Sequence, residues 1–489
     1  MDSSFKTQCV PNFSILSEDQ IKEIHLATIQ VLETTGIRVM DEEAVDLLKN
    51  AGCRVKNKQI VQIPGWLVEE CIRSAPSLVS VYNRKGEYAM QLSGSKAYFG
   101  LGTDLHNTYD IESGELRLSK LQDVVNAAKI ADYFEEIDFI ASMALPHDVP
   151  TNLSYIEQFR TQVENSVKPI FFTAAGVEDL TLIIEMAAAV AGGNDLLSEK
   201  PFLIHYSEPK SPLSHSPGAI KKLFFCAERG IPICYVAGIL SGGTGPVTVA
   251  GSLITGNAES LSGVVLHQLR AKGAPIISGF GNCRMDMLTG TCLYECTEYR
   301  LGISAVADLY HYYEIPLWGT AGMSDSHCLD QQVGIEAAIS LLMAGLNGSN
   351  LIHDVGYLGQ GLIGSPASIV MCAEIISYVK HFIRGFSIGE EFIGLDAIQD
   401  VGHGGDFLSH AHTAKFYKKE QWQPMFRNRL DIQTWKNQGS KNYGDIVIQK
   451  AREILKNYKP EQLPKEVLQE LAAIRKKAER VLLDKHFAA

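Results

Sequence analysis

The chain has 489 residues, of which 46% are hydrophobic and 20% are charged, and its formal net charge is −12. A chain of this length and composition can bury a large core, which excludes wholesale disorder. The excess of acidic side chains argues against a surface for nucleic acid or for an anionic membrane.

Cysteine usage and the N-terminal segment bear on the compartment. The ten cysteines are scattered, without a CxxC pair, which is typical of reduced thiols in the cytoplasm. The segment MDSSFKTQCVPNF lacks a basic stretch followed by an apolar run. No stretch reaches the roughly 18 consecutive apolar residues of a membrane span. We therefore expect a soluble, cytoplasmic protein.

The first 96 residues are predicted to be mainly helical. Residues 17–36 carry apolar side chains at helical spacing between a Ser17 N-cap and Gly36, and DEEAVDLLKNAG again ends in glycine. We interpret residues 1–96 as an N-terminal helical extension packed on the domain that follows.

From residue 97, short apolar runs alternate with segments long enough for helices. Eight strands are predicted at 97–101, 137–145, 168–174, 201–206, 232–238, 274–280, 316–321 and 349–355. This is the count that closes a (β/α)8 TIM barrel of the α/β class. A doubly wound open sheet is the alternative, but GLGTDLHN after the first strand lacks the third glycine of GxGxxG.

The barrel is predicted to span residues 97–385. Residues 386–489 then form a C-terminal loop and helical extension, which ends in two charged helices. These helices are expected to pack on the outside of the barrel or on a second subunit, and they favour a homo-oligomer.

In this fold the pocket is built by loops that follow the C-terminal ends of the strands. Polar groups mixed with aromatic residues fall at these positions, which suits a small amphiphilic ligand. One example is SNLIHDVGYLGQG, residues 349–361, which sets His353, Asp354 and Tyr357 at the end of the eighth strand. Glycines near several strand ends would allow the close approach of something large and flat.

Four segments in the same order resemble the trimethylamine methyltransferase family, in which a barrel enzyme moves a methyl group from an amine to a separate corrinoid protein. They are GLGTDLHNTYD, WGTAGMSDSHCLDQQVGIEAA, GLNGSNLIHDVGYL and GHGGDFLSHAHTAKFYKKEQWQPMFRNR. The resemblance implies the barrel and a partner protein that carries cob(I)alamin. Trimethylamine-specific members contain an encoded pyrrolysine, whereas this chain has ordinary residues only. It therefore resembles the non-pyrrolysine branch, whose characterised members demethylate quaternary amines such as glycine betaine.

A quaternary ammonium already has a neutral tertiary amine as its leaving group, so methyl transfer needs no general acid or base. The barrel then contributes positioning and desolvation. A carboxylate next to the cation would stabilise the ground state more than the transition state, so aromatic faces are the expected contacts. The candidates for this cage are Phe99, Tyr206, Phe280, Trp318 and Tyr357.

A betaine carboxylate would require hydrogen-bond donors at the other end of the substrate. His205, Arg284 and His353 are the candidates, and Asp354 and Tyr357 could orient His353. The residues predicted to face the corrinoid are Thr103, Asp104, Gly238, Gly281, Gly319, Thr320 and Gly356.

Two groupings could suggest a metal: Cys283, Cys292 and Cys296, and His403, His410 and His412. No adjacent cysteine pair follows a strand, and the resemblance does not imply zinc, so no resident metal is expected. The histidine loop is better interpreted as a lid or as a surface that meets the corrinoid protein. A zinc-dependent thiol methyltransferase and a non-catalytic betaine-binding barrel are the alternative functions.

Overall fold

The computed structural model describes residues 8–483, and its centre is a closed barrel of eight parallel strands. The strands are Tyr98–Leu101 (β1), residues 139–140 (β2), Ile170–Phe172 (β3), Leu203–Ser207 (β4), Ile233–Tyr235 (β5), Ile276–Ile277 (β6), Trp318–Thr320 (β7) and Leu351–Val355 (β8). Parallel pairing runs around the ring, and β8 closes it by pairing with β1. The predicted (β/α)8 barrel is confirmed.

Not every ladder of the barrel is regular. The second strand is joined to its neighbours only by the single bridges Gly100 to Phe139 and Ile140 to Ile170. One bridge, Ser278 to Leu317, links the sixth and seventh strands. The run predicted as a strand at 137–145 is therefore mostly irregular chain.

A helix follows each strand and covers the outside of the barrel. The helices are Leu121–Tyr133 (α1), Ser154–Asn165 (α2), Val177–Ala191 (α3), Pro217–Arg229 (α4), Val249–Arg270 (α5), Thr297–Tyr313 (α6), Gln331–Leu346 (α7) and Pro366–Arg384 (α8). Side-chain oxygens of Ser216, Thr248, Asp330 and Ser365 cap four of them. Each cap satisfies a backbone N–H that the first helical turn leaves free.

The chain before the barrel combines helices with short strands. Three helices pack with a four-stranded sheet. The helices are Glu18–Thr34, Glu42–Asn50 and Gly65–Ser74, and the strands are Ile37–Val39, Arg54–Lys56, Ile60–Gln62 and Ser214–His215. A separate pair of strands consists of Val79–Tyr82 and Tyr88–Leu92. The sequence analysis did not anticipate these strands, because two to five residues give too little alternation to detect.

The chain after the barrel contains helices Glu390–Ile393, Leu395–Val401, Ala411–Glu420, Ile432–Asn437, Tyr443–Asn457 and Lys465–Leu483. The helix Tyr443–Asn457 packs on α8 and α1, and Lys465–Leu483 packs on α3. The two charged helices therefore lie on the outside of the barrel, as the sequence predicts.

Within the described residues one helix, α8, has the length and hydropathy of a membrane span. Two-thirds of its apolar window is buried inside the protein, which is how a core helix behaves.

Strands beyond the C-terminal end of the barrel surround its mouth. Ala237–Ser241 pairs in parallel with Phe280–Met285, which turns back into Cys292–Leu293 as a hairpin. On the other side, Asn107–Tyr109 pairs with Leu116–Leu118 and with Ile363–Gly364, which in turn pairs with Tyr357–Leu358. These strands form the walls of the candidate site.

Candidate functional site

An aromatic cluster fills the barrel axis at the C-terminal ends of the strands. The rings of Tyr206 and Trp318 are nearly parallel, with centroids 6.4 Å apart. The His353 ring lies 5.6 Å from Tyr206 and 6.0 Å from Trp318, and Phe171 lies 4.9 Å from His353. Tyr357 stands edge-on to His353 at 6.2 Å. Residues from β3, β4, β7 and β8 thus meet at one place.

A bulge in β8 explains why consecutive residues face this cluster. The register between β8 and β1 shifts between Ile352 and Val355, and Asp354 has a left-handed backbone with φ of 81°. In a regular strand, neighbouring side chains would point to opposite faces. Here the Nδ1 atom of His353 lies 2.6 Å from Oδ1 of Asp354. The strained backbone therefore turns both side chains towards the barrel axis.

Tyr357 is held against the first strand's loop. Its hydroxyl donates to the carbonyl of Thr103 at 2.5 Å, and a Cβ added at Gly102 would lie 2.1 Å from the ring. Only glycine permits this close approach of the ring to the backbone. Tyr357 therefore forms a fixed wall of the cluster.

Two buried nitrogen atoms in the cluster lack a partner among the described residues. Nε2 of His353 and Nε1 of Trp318 make no hydrogen bond, although the two side chains are only 4% and 5% exposed, whereas Nδ1 of His353 has the contact with Asp354. Buried polar atoms are normally satisfied, so unpaired donors aimed into an open mouth indicate a ligand site.

Carboxylates stand around the cluster. Glu208 follows β4 on the same face as Tyr206, whose hydroxyl donates to Oε1 of Glu208. Solvent reaches this carboxylate through the mouth, yet crowding by protein atoms raises its pKa, and the Tyr206 hydrogen bond partly opposes that shift. Asp354 is buried beside His353. Carboxylates therefore stand beside the aromatic faces that the sequence predicts as the contacts of the cation.

Asp104 plays a different part from the other two carboxylates. It accepts hydrogen bonds from Thr173 at 2.8 Å, from Gln158 at 2.9 Å and from Ser142 at 3.2 Å. Burial raises its pKa, and these three donors act in the opposite direction. Asp104 thus ties together the loops after the first three strands.

Two of the five proposed cage residues face away from the mouth. The Phe99 ring points to α7 and α8, where it lies 5.9 Å from Nζ of Lys380. The Phe280 ring packs on α5, because a Cβ added at Gly256 would be 2.4 Å from its Cδ2. Both are completely buried core residues. The predicted cage therefore reduces to Tyr206, Trp318 and Tyr357.

Two of the three proposed anion donors also lie outside the cluster. His205 alternates with Tyr206 along β4, so its ring faces the helical layer and lies 5.0 Å from Phe172. Burial lowers its pKa well below the usual range. Arg284 uses Nη1 to bind the Ser241 hydroxyl at 3.1 Å and the Val247 carbonyl at 2.5 Å. Only His353 is placed to meet a ligand at the axis.

The residues predicted to face a large flat partner divide into two sets. Gly238 is exposed at the mouth, and a Cβ added at Gly281 would be in van der Waals contact with Trp318, 3.8 Å from its ring. By contrast, Gly319 packs on Ser349 behind β8, and Gly356 packs on Ile369 of α8.

The remaining three of these residues line the inside of the site. Thr103 lies at its edge and offers the carbonyl that binds Tyr357. Asp104 accepts the three hydrogen bonds described above, which connect the loops after the first three strands. Thr320 is buried and lies within 2.9 Å of the Tyr299 hydroxyl.

Neither predicted grouping forms a three-ligand site in the described part of the chain. Cys283 adjoins Cys292 across the hairpin, and the contact with Cys292 together with burial raises the pKa of the Cys283 thiol. Cys296 instead precedes α6 as its N-cap. His410 and His412 cap and pack the helix Ala411–Glu420.

Sequence reasoning missed Phe171, Glu208, Tyr294, Tyr299 and Cys283 as site neighbours. The sequence does contain a signal for Phe171 and Glu208. Each lies two residues from another inward-facing residue, and side chains at that spacing share one face of a strand. Cys283 and Tyr294 reach the site through the hairpin after β6 and the residue that follows it, which have no periodic signature, and Tyr299 reaches it from the first turn of α6.

Comparison with known proteins identifies the family of this chain. A family described as "Trimethylamine methyltransferase (MTTB)" matches residues 2–481. The chain is 32% identical to a trimethylamine methyltransferase of Desulfitobacterium hafniense over 462 residues, covering 94% of this chain and 92% of that one. It is 31% identical to a glycine betaine methyltransferase of the same species over 468 residues, covering 95% and 97%.

A solved structure is similar over nearly the whole chain. The monomethylamine methyltransferase of Methanosarcina barkeri superposes with a TM-score of 0.54 and 10% identity, covering 96% of this chain and 88% of that one. At that identity the likeness shows the fold alone.

Proposed function

This chain belongs to the trimethylamine methyltransferase family, and we propose that it transfers a methyl group from a quaternary amine, glycine betaine being the first candidate, to the Co(I) of a corrinoid protein. The observation that carries this substrate class is the aromatic cluster of Tyr206, Trp318 and Tyr357 on the barrel axis. Aromatic faces bind a fixed cation that cannot donate hydrogen bonds.

His353 supplies the contact for the opposite end of glycine betaine. Its Nε2 atom lies within the cluster without a partner among the described residues, so when it carries a proton it can donate to the substrate carboxylate while the trimethylammonium group meets Tyr206 and Trp318. Asp354, 2.6 Å from Nδ1, orients the ring and leaves Nε2 as the nitrogen available to the ligand.

The reaction requires no acid or base from the protein. The partner supplies a cobalt nucleophile, the N–CH3 bond breaks with its electron pair left on nitrogen, and dimethylglycine departs as a neutral amine with its carboxylate unchanged. No proton is transferred, so the side chains act by binding, orientation and the exclusion of water. This fits a cluster of aromatic side chains whose hydroxyl groups are held by the protein, Tyr206 by Glu208 and Tyr357 by the Thr103 carbonyl.

The corrinoid protein has to dock over the mouth. Apolar side chains are exposed on the loops there: Val247 at 51%, Met287 at 67%, Leu288 at 97% and Leu362 at 51%. Met287 and Leu288 form the tip of the hairpin that begins at Phe280 and lines the site through Gly281. These four residues, the mouth rim, are the surface proposed for the partner.

We also propose a cytoplasmic location and assembly of copies of this chain. The support for assembly is the cluster of exposed apolar residues after the barrel, which includes Phe386, Ile393, Leu395, Ile398, Leu408 and Ile432. A concentration of exposed large apolar side chains in one segment favours an interface.

The test is an amine panel with free cob(I)alamin. Glycine betaine, proline betaine, carnitine, choline and trimethylamine are each mixed with the protein, and loss of the reduced corrinoid spectrum is followed. The proposal expects methylation with a quaternary amine and none with trimethylamine. Binding of a betaine without any methylation would instead indicate a non-catalytic betaine-binding barrel, and activity that required added zinc would indicate the thiol methyltransferase.

A further inference from the structure

We propose that Glu208 is the counter-ion of the substrate ammonium group and sets the preference of this site for a cation over a neutral molecule of the same shape. This inference rests on the proposed function and adds a residue whose role the aromatic cluster does not supply. It concerns the choice of substrate charge rather than the transfer step itself.

The position of Glu208 supports this role. It follows β4 two residues after Tyr206, so both side chains point to the barrel axis, and the Tyr206 hydroxyl binds Oε1. A Cβ added at Gly238 would lie 4.0 Å from Oε2, which places this second oxygen at the open mouth. The hydrogen bond therefore holds the carboxylate against the edge of the aromatic cluster and leaves one oxygen towards the ligand.

Among the described residues, Glu208 is the carboxylate of the site with the least compensation. Asp104 accepts three hydrogen bonds, and Asp354 lies 2.6 Å from the His353 ring. No Lys or Arg of residues 8–483 forms an ion pair with Glu208 within 4.0 Å. His353 and Lys222 of α4 lower the pKa of Glu208 through space, and Nζ of Lys222 donates its hydrogen bond to the carbonyl of Ala174 at 2.8 Å.

Two buried nitrogen atoms of the cluster support a ligand in the same space. Nε1 of Trp318 and Nε2 of His353 have no partner among the described residues, and both rings lie beside Tyr206. A zwitterion with its carboxylate at His353 would bring its ammonium group to the side of the cluster where Tyr206 and Glu208 stand. The two ends of the substrate then meet groups of suitable charge.

A counter-ion has a kinetic consequence. The positive charge on nitrogen is full in the bound amine and smaller in the transition state, so Glu208 stabilises the former more. Removing its charge should therefore weaken binding without slowing the transfer step at saturating substrate. A residue that merely supported the fold would impair both.

The experiment compares each cation with its carbon isostere in the full-length protein. Glycine betaine is paired with 3,3-dimethylbutanoate, and choline with 3,3-dimethylbutanol, and dissociation constants are measured by calorimetry for the wild type, Glu208→Gln and Glu208→Asp. Glu298→Gln is the control, because it removes the same charge from the exposed first turn of α6.

We expect Glu208→Gln to reduce the preference for cation over isostere by about tenfold to a hundredfold in both pairs, which is about 1.4 to 2.7 kcal/mol. Glu208→Asp should keep part of the preference since the charge remains, and Glu298→Gln should keep all of it. The single-turnover rate constant of Glu208→Gln at saturating amine should equal or exceed that of the wild type.

Three results separate this inference from the proposed function. If the wild type methylates cob(I)alamin but Glu208→Gln retains the full preference for the cation, the counter-ion role is overturned while the proposed function stands. If Glu208→Gln loses transfer rate and binding of isosteres alike, Glu208 is a structural residue. If the wild type binds no quaternary amine, both conclusions fall.

Discussion

Replacing His353 by alanine tests how the site holds the anionic end of its substrate. The ring is 4% exposed, its Nε2 atom lacks a partner among the described residues, and Phe171 lies beside it, so a hydrogen bond from it to a carboxylate would form in a dry environment. Such a bond to a charged group contributes about 1.5 to 3 kcal/mol. His353→Ala should therefore raise the dissociation constant of glycine betaine by about 10- to 150-fold.

The substitution also removes a ring packed 4.9 Å from Phe171, so a control for general damage is needed. His205→Ala provides it, because His205 is as deeply buried, has two unpaired nitrogens and packs 5.0 Å from Phe172, but faces the helical layer. Both variants should unfold at lower denaturant concentration, as large-to-small core substitutions do. Only His353→Ala should lose betaine affinity.

Calorimetric titration of betaine and choline into each variant decides the point. Choline lacks the carboxylate, so its affinity should fall by less than about threefold in His353→Ala. Equal losses for betaine and choline would refute the reasoning. His353 would then shape the pocket, and the carboxylate would be held by another donor such as Nε1 of Trp318.

Four further outcomes are expected. Trp318→Leu should weaken the binding of a quaternary ammonium by about 2 kcal/mol, whereas Phe280→Leu should destabilise the fold and leave that affinity unchanged. The reverse pattern would place the aromatic cage elsewhere. Because burial raises the pKa of Glu208, the affinity for the ammonium group should rise with pH as this carboxyl group ionises. A pH dependence of affinity in Glu208→Gln as steep as that of the wild type would contradict this assignment. The groups that act on Glu208 are Tyr206, His353, Asp354 and Lys222. Leu288→Asp should raise the KM for the corrinoid protein at least tenfold and leave the reaction with free cob(I)alamin intact, which separates docking from chemistry. Turnover should survive dialysis against a strong chelator, and loss restored only by zinc would favour the thiol methyltransferase.

The sequence predicts the barrel well, because short apolar runs alternate with segments of helical period, four of which begin at a capping Ser, Thr or Asp. It predicts less of the site. All five aromatic candidates lie near strand ends, but the face on which a ring emerges depends on strand register. Phe99 and Phe280 lie on the outer face of the barrel wall, and a shift by one residue would have exchanged them with inward positions.

His353 and His205 illustrate the same limit. Both follow apolar residues of predicted strands, and nothing in their immediate sequence separates them. His205 faces outward because Tyr206 takes the inward position on a regular strand. His353 and Asp354 both reach the axis because β8 bulges there. A bulge is set by pairing with β1, which is distant in sequence, so no local pattern could announce it.

The carboxylates change how the chemistry of the site is understood. An aromatic cluster alone would bind an ammonium group and leave its charge almost unopposed, which favours loss of that charge in the transition state. Glu208 strengthens capture of the cation at some cost to that advantage, and its link to Tyr206 fixes it at the mouth rather than at the reacting methyl group. Because Coulomb energy falls with distance, a carboxylate at the edge can select the charge while the aromatic faces surround the reacting centre. The arrangement divides selection and transfer between two parts of one site.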